Sequence, residues 1–175
     1  IDFQNSIYDG YLIGVSDNFY VRHRYLDPKE PILTRVEVKN ARRGMNKALL
    51  YRMNIVYDLY FHSDCLADYP NIMEYGNQMS KLRNRYLNYI WDATFDEHNG
   101  MRVNGKNIEY SIFVNKAGKR TAVVCNMSNE SATQVSVSCE GVGELRYATP
   151  ETLEDRSFEG TIELAPLSAI IIMEQ

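Results

Sequence analysis

The sequence predicts an α+β chain, in which a segment of mixed strands and helices is followed by a small antiparallel β-sandwich. Three observations carry this expectation. From about Asn104 onward the chain falls into short alternating apolar and polar runs separated by turn residues. Before that point one long stretch repeats its apolar residues at helical spacing. Between the two lies a polar, turn-rich passage. The 175 residues can bury one good core or two small ones, and the change of rhythm favours two, residues 1–95 and 104–175.

Taken in order, Tyr8–Val15 is a short apolar run broken by glycines and closed by Ser16-Asp17-Asn18, which suits a buried strand ending in a loop. Asp27-Pro28-Lys29-Glu30-Pro31 is a turn, and Ile32–Val38 alternates enough to be a second strand. Asn40 is a plausible N-cap for a helix over Ala41–Met53, with Gly44 as its weak point. Asn54–Phe61 is β-branched and aromatic, and periodicity alone leaves strand and helix open there. After a loop over His62–Pro70, a long amphipathic helix runs from Asn71 or Ile72 to about Ala93. Met79, Leu82, Tyr86, Tyr89 and Ile90 face its core, and Lys81, Arg83, Asn84 and Arg85 face away.

Phe95–Gly105, with His98-Asn99-Gly100 and Asn104-Gly105, is the natural boundary. Six strand patterns follow: Ile108–Val114, Arg120–Asn126, Thr133–Cys139, Glu144–Ala148, Ser157–Leu164 and Ser168–Glu174. Turns carrying Gly118, Asn129, Gly141 with Gly143, and Pro166 separate them, which is the spacing of a sandwich.

Composition excludes several classes. Hydrophobic content of 45% with 24% charged residues is that of a folding chain rather than a disordered one. The formal charge of −4 resides in residues 104–175, where six basic residues face ten acidic ones, while the earlier residues balance. Neither half is basic enough to hold nucleic acid or an anionic membrane by charge. The longest apolar runs, such as Ser168–Met173, are far short of the roughly 20 residues a membrane helix needs. The first residue is Ile1, so the start looks cut, and any targeting information is missing. The compartment is unknown, with secreted or periplasmic settings left open.

Cys65, Cys125 and Cys139 are odd in number and lack metal-ligand spacing, which argues against a disulfide framework or a zinc site. Cys125 and Cys139 lie in strand patterns and read as small hydrophobes, and a bridge between them requires neighbouring strands. Asn126-Met127-Ser128 and Asn129-Glu130-Ser131 match the glycosylation acceptor pattern but coincide with a strand-end turn, and read as turn chemistry. Arg42-Arg43 and Arg83-Asn84-Arg85 read as solvated helix faces. No P-loop, dinucleotide-binding, zincin or serine-hydrolase pattern occurs.

The segment T-A-V-V-C-N-M-S-N-E-S-A-T-Q-V-S-V, with the later F-E-G-T-I-E-L-A-P-L-S-A-I-I-I-M-E, resembles the C-terminal β-sandwich of many glycoside hydrolases, which follows a (β/α)8 catalytic barrel. The preceding order of strand, helix, short strand, loop and long helix looks like the last βα units of such a TIM-type barrel. About 95 residues precede the sandwich, against roughly 250 for a whole barrel. The resemblance therefore implies the end of a barrel, with the rest of the barrel or self-association completing the exposed edges.

It also implies a carbohydrate partner and cleavage of a glycosidic bond by two carboxyl groups and water, with no cofactor. Barrel chemistry sits at the C-terminal ends of strands, which singles out Asp17, Glu37 and Asp64 as candidate acids. Tyr57 and Tyr60, with Phe61, could stack on a sugar ring, and His62 could orient a hydroxyl. Each has an ordinary structural account that outweighs the catalytic one. Asp17 before Asn18 forms turns, Glu37 in an alternating strand faces solvent, a loop His62 is exposed by default, and the aromatics fill cores. The rival classes are a glycan-binding module displaying exposed tyrosines and an interaction domain whose sheet edge pairs with a partner strand.

Overall fold

The computed structural model describes residues 33–53, 70–96, 100–141 and 144–175, with side chains from residue 42 in the first helix and from residue 73 in the second, apart from Pro70. Among the described residues three helices, α1 (Leu33–Leu50), α2 (Pro70–Arg85) and α3 (Leu87–Ile90), precede nine strands. These are β1 (Thr94–Phe95), β2 (Met101–Asn104), β3 (Ile108–Val114), β4 (Arg120–Asn126), β5 (Thr133–Cys139), β6 (Leu145–Ala148), β7 (Arg156–Ser157), β8 (Thr161–Leu164) and β9 (Ala169–Glu174).

The strands form a six-stranded sheet in the order β1-β3-β4-β9-β6-β7 and a three-stranded sheet in the order β2-β5-β8. Every pairing is antiparallel. The expected sandwich is present, and β3, β4 and β5 occupy the residues that their alternation predicts.

Two apolar cores explain why the strands read differently. Between the sheets lie Met101, Val103, Ile112, Ala122, Val124, Val135, Val137, Leu164, Ile170 and Ile172. On the opposite face of the large sheet, Phe113, Val123, Cys125, Ile171 and Met173 pack against Met45, Leu49, Leu50, Met79, Leu82, Tyr86 and Ile90 from the helices. The molecule is therefore layered, with helices over a six-stranded sheet over a three-stranded sheet. β4 and β9 are covered on both faces, so T-A-V-V-C and A-I-I-I-M are continuous apolar runs. β5 has one face in solvent, so T-Q-V-S-V-S-C alternates.

Three expectations change. Ile32–Val38 is not a strand: Leu33–Leu50 is one helix, and Asn40 lies inside it rather than capping it. Alternation over seven residues is a weak signal, and tertiary packing overrides strand propensity. Ser157–Leu164 is two strands in different sheets, separated at Gly160 with φ +87. Phe158 is buried against Tyr147 in the inter-sheet core where the chain crosses. The long helix starts at Pro70, a residue suited to a first turn, and breaks at Tyr86 into α2 and α3. The strand readings over Tyr8–Val15 and Asn54–Phe61 lie outside the described residues.

α1 ends in a Schellman motif. Met53 N donates to Ala48 O at 2.8 Å and Arg52 N to Leu49 O at 3.4 Å, with Arg52 left-handed at φ 54. Glycine is the usual occupant there. Arg52 is held because its guanidinium donates to the carbonyls of Ile90 and Trp91, both at 3.4 Å, and of Ala93, and lies 5.3 Å from the Phe113 ring. It thus caps carbonyls at the end of α3, of which Ile90 O also accepts from Ala93 N at 3.4 Å.

Candidate functional site

The described residues concentrate their buried polar chemistry where α1 meets the sandwich. Asn46 is fully buried, and its Nδ2 donates to Leu167 O at 2.9 Å while its Oδ1 accepts from the Tyr75 hydroxyl at 2.5 Å. Arg42 Nε donates to the same Leu167 carbonyl at 2.9 Å. The guanidinium of Arg42 also pairs with Glu151 and stacks 3.9 Å from the Tyr75 ring centre. The Cys125 thiol, beneath them on β4, points at Asn46 O at 3.6 Å.

Leu167 presents that carbonyl because the β8–β9 turn bends back through a left-handed residue, φ 52, with its side chain buried. One helical turn of α1 reads a second sandwich turn. Arg43 donates to Asn129 Oδ1 at 2.6 Å and to Met127 O at 3.5 Å. Asn126 holds that turn from inside. Its Nδ2 donates to the carbonyls of Ser131, Leu164 and Ala165 at 2.9, 3.1 and 3.0 Å, and its Oδ1 accepts from Ser128 N at 2.9 Å. The expectation of turn chemistry at Asn126 holds, whereas that of a solvated Arg42-Arg43 face does not. Both arginines are half-buried because their partners come from sequence more than 80 residues away.

Two further clusters tie the layers together. The Tyr86 hydroxyl donates its one proton to the Asp155 carboxylate and lies 2.7 Å from Leu153 O, and Arg146 donates to Asp155 O at 3.2 Å. At the far end of the large sheet, Glu174 accepts from Arg120 Nε at 2.9 Å, Arg120 N at 2.6 Å and the Cys139 thiol at 3.3 Å. Arg120 also donates to Gly100 O at 2.8 Å.

Burial keeps the perturbed phenols and thiols protonated and uncharged at neutral pH. Burial pushes the phenol of Tyr75 far above its usual range, and burial with the Asp155 contact pushes Tyr86 up to about 12. Burial raises the Cys125 thiol well above 9.0, and burial with the Glu174 hydrogen bond pushes Cys139 up to about 11. Both cysteines are therefore thiols at neutral pH and weak nucleophiles. They are free, and no bridge joins them: β4 and β5 belong to different sheets, and Cys125 faces the helices. Among the described residues no group of three or more His, Cys, Asp or Glu is placed to hold a metal.

Asp17, Tyr57, Tyr60, His62 and Asp64 lie outside the described residues. Glu37 lies in α1, on helical backbone rather than in a strand. The junction residues Asn46, Tyr75 and Leu167 were not singled out by sequence. The available signal was a polar Asn46 inside an apolar helix pattern, which implies a buried partner. No protein-family model matches the chain, and no curated protein matches it. No described helix is long and apolar enough to cross a membrane.

Proposed function

We propose that this chain is the C-terminal part of a carbohydrate-active glycoside hydrolase, in which the sandwich is an accessory domain that stabilises the catalytic part. The observation that carries this reading is that the helices and the sandwich are built as one body. Sheet and helices share an apolar core, and Arg42, Arg43 and Asn46 bind two sandwich turns. An accessory domain that braces a barrel needs such a fused interface, whereas a free binding module needs an exposed one. The tyrosines also favour it over a glycan-binding module. Tyr75 and Tyr86 are buried, and Tyr51, Tyr89, Tyr110 and Tyr147 are half-buried, so no described tyrosine forms an exposed platform.

On this reading the chemistry belongs to the segment before the sandwich. One carboxyl group protonates the leaving oxygen, and a second acts as nucleophile or as base toward water. Asp17 and Asp64 remain the candidate acids, with Tyr57, Tyr60 and His62 as candidate sugar contacts, and no cofactor is required; Glu37, on the helical backbone of α1, no longer meets the strand-end criterion. The missing barrel segments, or another copy, complete the fold.

The test is an assay of the full-length gene product on a panel of aryl glycosides, with Asp17→Asn and Asp64→Asn made in it. The expected result is glycosidase activity that falls about 10²–10⁴-fold in at least one variant, the range for losing an acid–base group. The 175-residue chain alone should be inactive. A full-length protein inert on every glycoside, beside a 175-residue chain that binds oligosaccharide by itself, would shift the function to a binding module.

A further inference from the structure

We infer that the fold carries one acceptor site for an N-linked glycan, at Asn129, and that the neighbouring acceptor pattern at Asn126 is closed. The two patterns, Asn126-Met127-Ser128 and Asn129-Glu130-Ser131, are three residues apart and equal by sequence. The structure separates them. Asn126 is 0% exposed, and its Nδ2, the atom that would bond the sugar, is committed to three carbonyls at 2.9–3.1 Å. A glycan there would displace all three and force sugar into the space between β4 and the β8–β9 turn.

Asn129 is different in each respect. It is exposed at the tip of the β4–β5 connection, and so is Ser131, the hydroxyl residue that the pattern requires. Its Oδ1 is engaged by Arg43 at 2.6 Å, which leaves the other end of the amide, Nδ2, outside that contact. Glycosylation consumes only that other end. Nδ2 loses a proton and bonds C1 of the sugar, the C1–O bond to a lipid pyrophosphate breaks, and the pyrophosphate leaves with the bonding pair. The donor is a lipid-pyrophosphate-linked oligosaccharide. Oδ1 survives as an acceptor, so the Arg43 bond can persist beside the glycan. The site is a property of the turn and is independent of the proposed hydrolase function.

The test uses the folded 175-residue chain with a purified single-subunit oligosaccharyltransferase and a lipid-linked oligosaccharide, read by intact mass and peptide mapping. The expected product carries one glycan, on Asn129, with a melting temperature within a degree or two of the unmodified chain. Asn129→Gln should abolish the mass gain. Ser128→Ala removes the Asn126 pattern, leaves Asn126 itself in place and costs the turn the two bonds that Ser128 Oγ accepts, from Glu130 N at 3.3 Å and Ser131 N at 3.0 Å; it should retain the glycan on Asn129. No mass gain on the folded chain, or a glycan mapped to Asn126, would overturn the inference.

Discussion

At the scale of single residues, the burial of polar groups decides which substitutions matter. Asn46 joins α1, α2 and the β8–β9 turn through two side-chain bonds. Asn46→Ala leaves the buried Tyr75 hydroxyl without its acceptor and removes a donor from Leu167 O. An unsatisfied buried group costs about 1–3 kcal/mol, so urea unfolding should show a loss of about 2–3 kcal/mol. Thr121 behaves in the opposite way. It is fully buried between Phe113 and Met173 in register, and its hydroxyl has no hydrogen-bond partner among the described residues. Thr121→Val removes that desolvated oxygen at similar volume and should raise stability by about 1 kcal/mol, read as a higher urea midpoint. Glu174 sets a pH dependence. Burial pulls its carboxyl upward, but the hydrogen bonds from Arg120 outweigh this and hold it below 4.5. A carboxyl held lower in the folded than in the unfolded chain contributes stability that is present above the unfolded value. That stability is lost as pH falls toward the folded value. Glu174→Gln should therefore flatten the stability profile below about pH 5, where the parent chain weakens.

Among the elements, the helix ends show how local strain is retained by distant contacts. Arg52 is left-handed at the close of α1, a conformation that costs a non-glycine residue about 1–2 kcal/mol. Its guanidinium offsets this through three carbonyls at the end of α3 and the Phe113 ring. Arg52→Gly relieves the backbone and loses the side-chain bonds, whereas Arg52→Ala loses the bonds and keeps the strain. Chemical denaturation should rank the parent above Arg52→Gly and Arg52→Gly above Arg52→Ala by about 1 kcal/mol. Legibility in the sequence follows the same division. β3, β4 and β5 were readable residue by residue, because alternation and two-sided apolar runs are local patterns. The N-terminal turns of α1 were not, since Leu33–Val38 alternates like a strand while its backbone is helical. The Gly160 break was hidden as well: Phe158 and Ile162 look like one alternating run until they prove to be in the connection and in the second sheet.

For the molecule as a whole, the central strands β4 and β9 of the large sheet are covered on both faces, and this determines how it should come apart. That sheet's outer side carries Phe113, Val123, Ile171 and Met173, all fully buried beneath α1, α2 and α3. Each such side chain contributes about 1.5–3 kcal/mol when removed from water, so the helices cannot leave without a large loss. Sequence placed a boundary near Phe95–Gly105 because that passage is polar, and polarity marks a connection without saying whether cores on either side are joined. The junction itself was illegible for the same reason: Asn46, Tyr75 and Leu167 are far apart in sequence and nothing local links them. α3 leads directly into β1, and Phe95 at the start of that passage packs on Phe113 in the core shared by helices and sheet. Amide hydrogen exchange should then show the slowest exchange in β4 and β9, which are covered on both faces, and protection that continues into α1 from residue 42 and into α2. A fragment of residues 94–175 should bind a hydrophobic dye and self-associate, since the bared sheet face is far more apolar than an ordinary surface. A fragment that stayed monomeric, bound no dye and kept the parent exchange rates in β4 and β9 would mean that the sandwich stands alone, and that the helices contribute little to its stability.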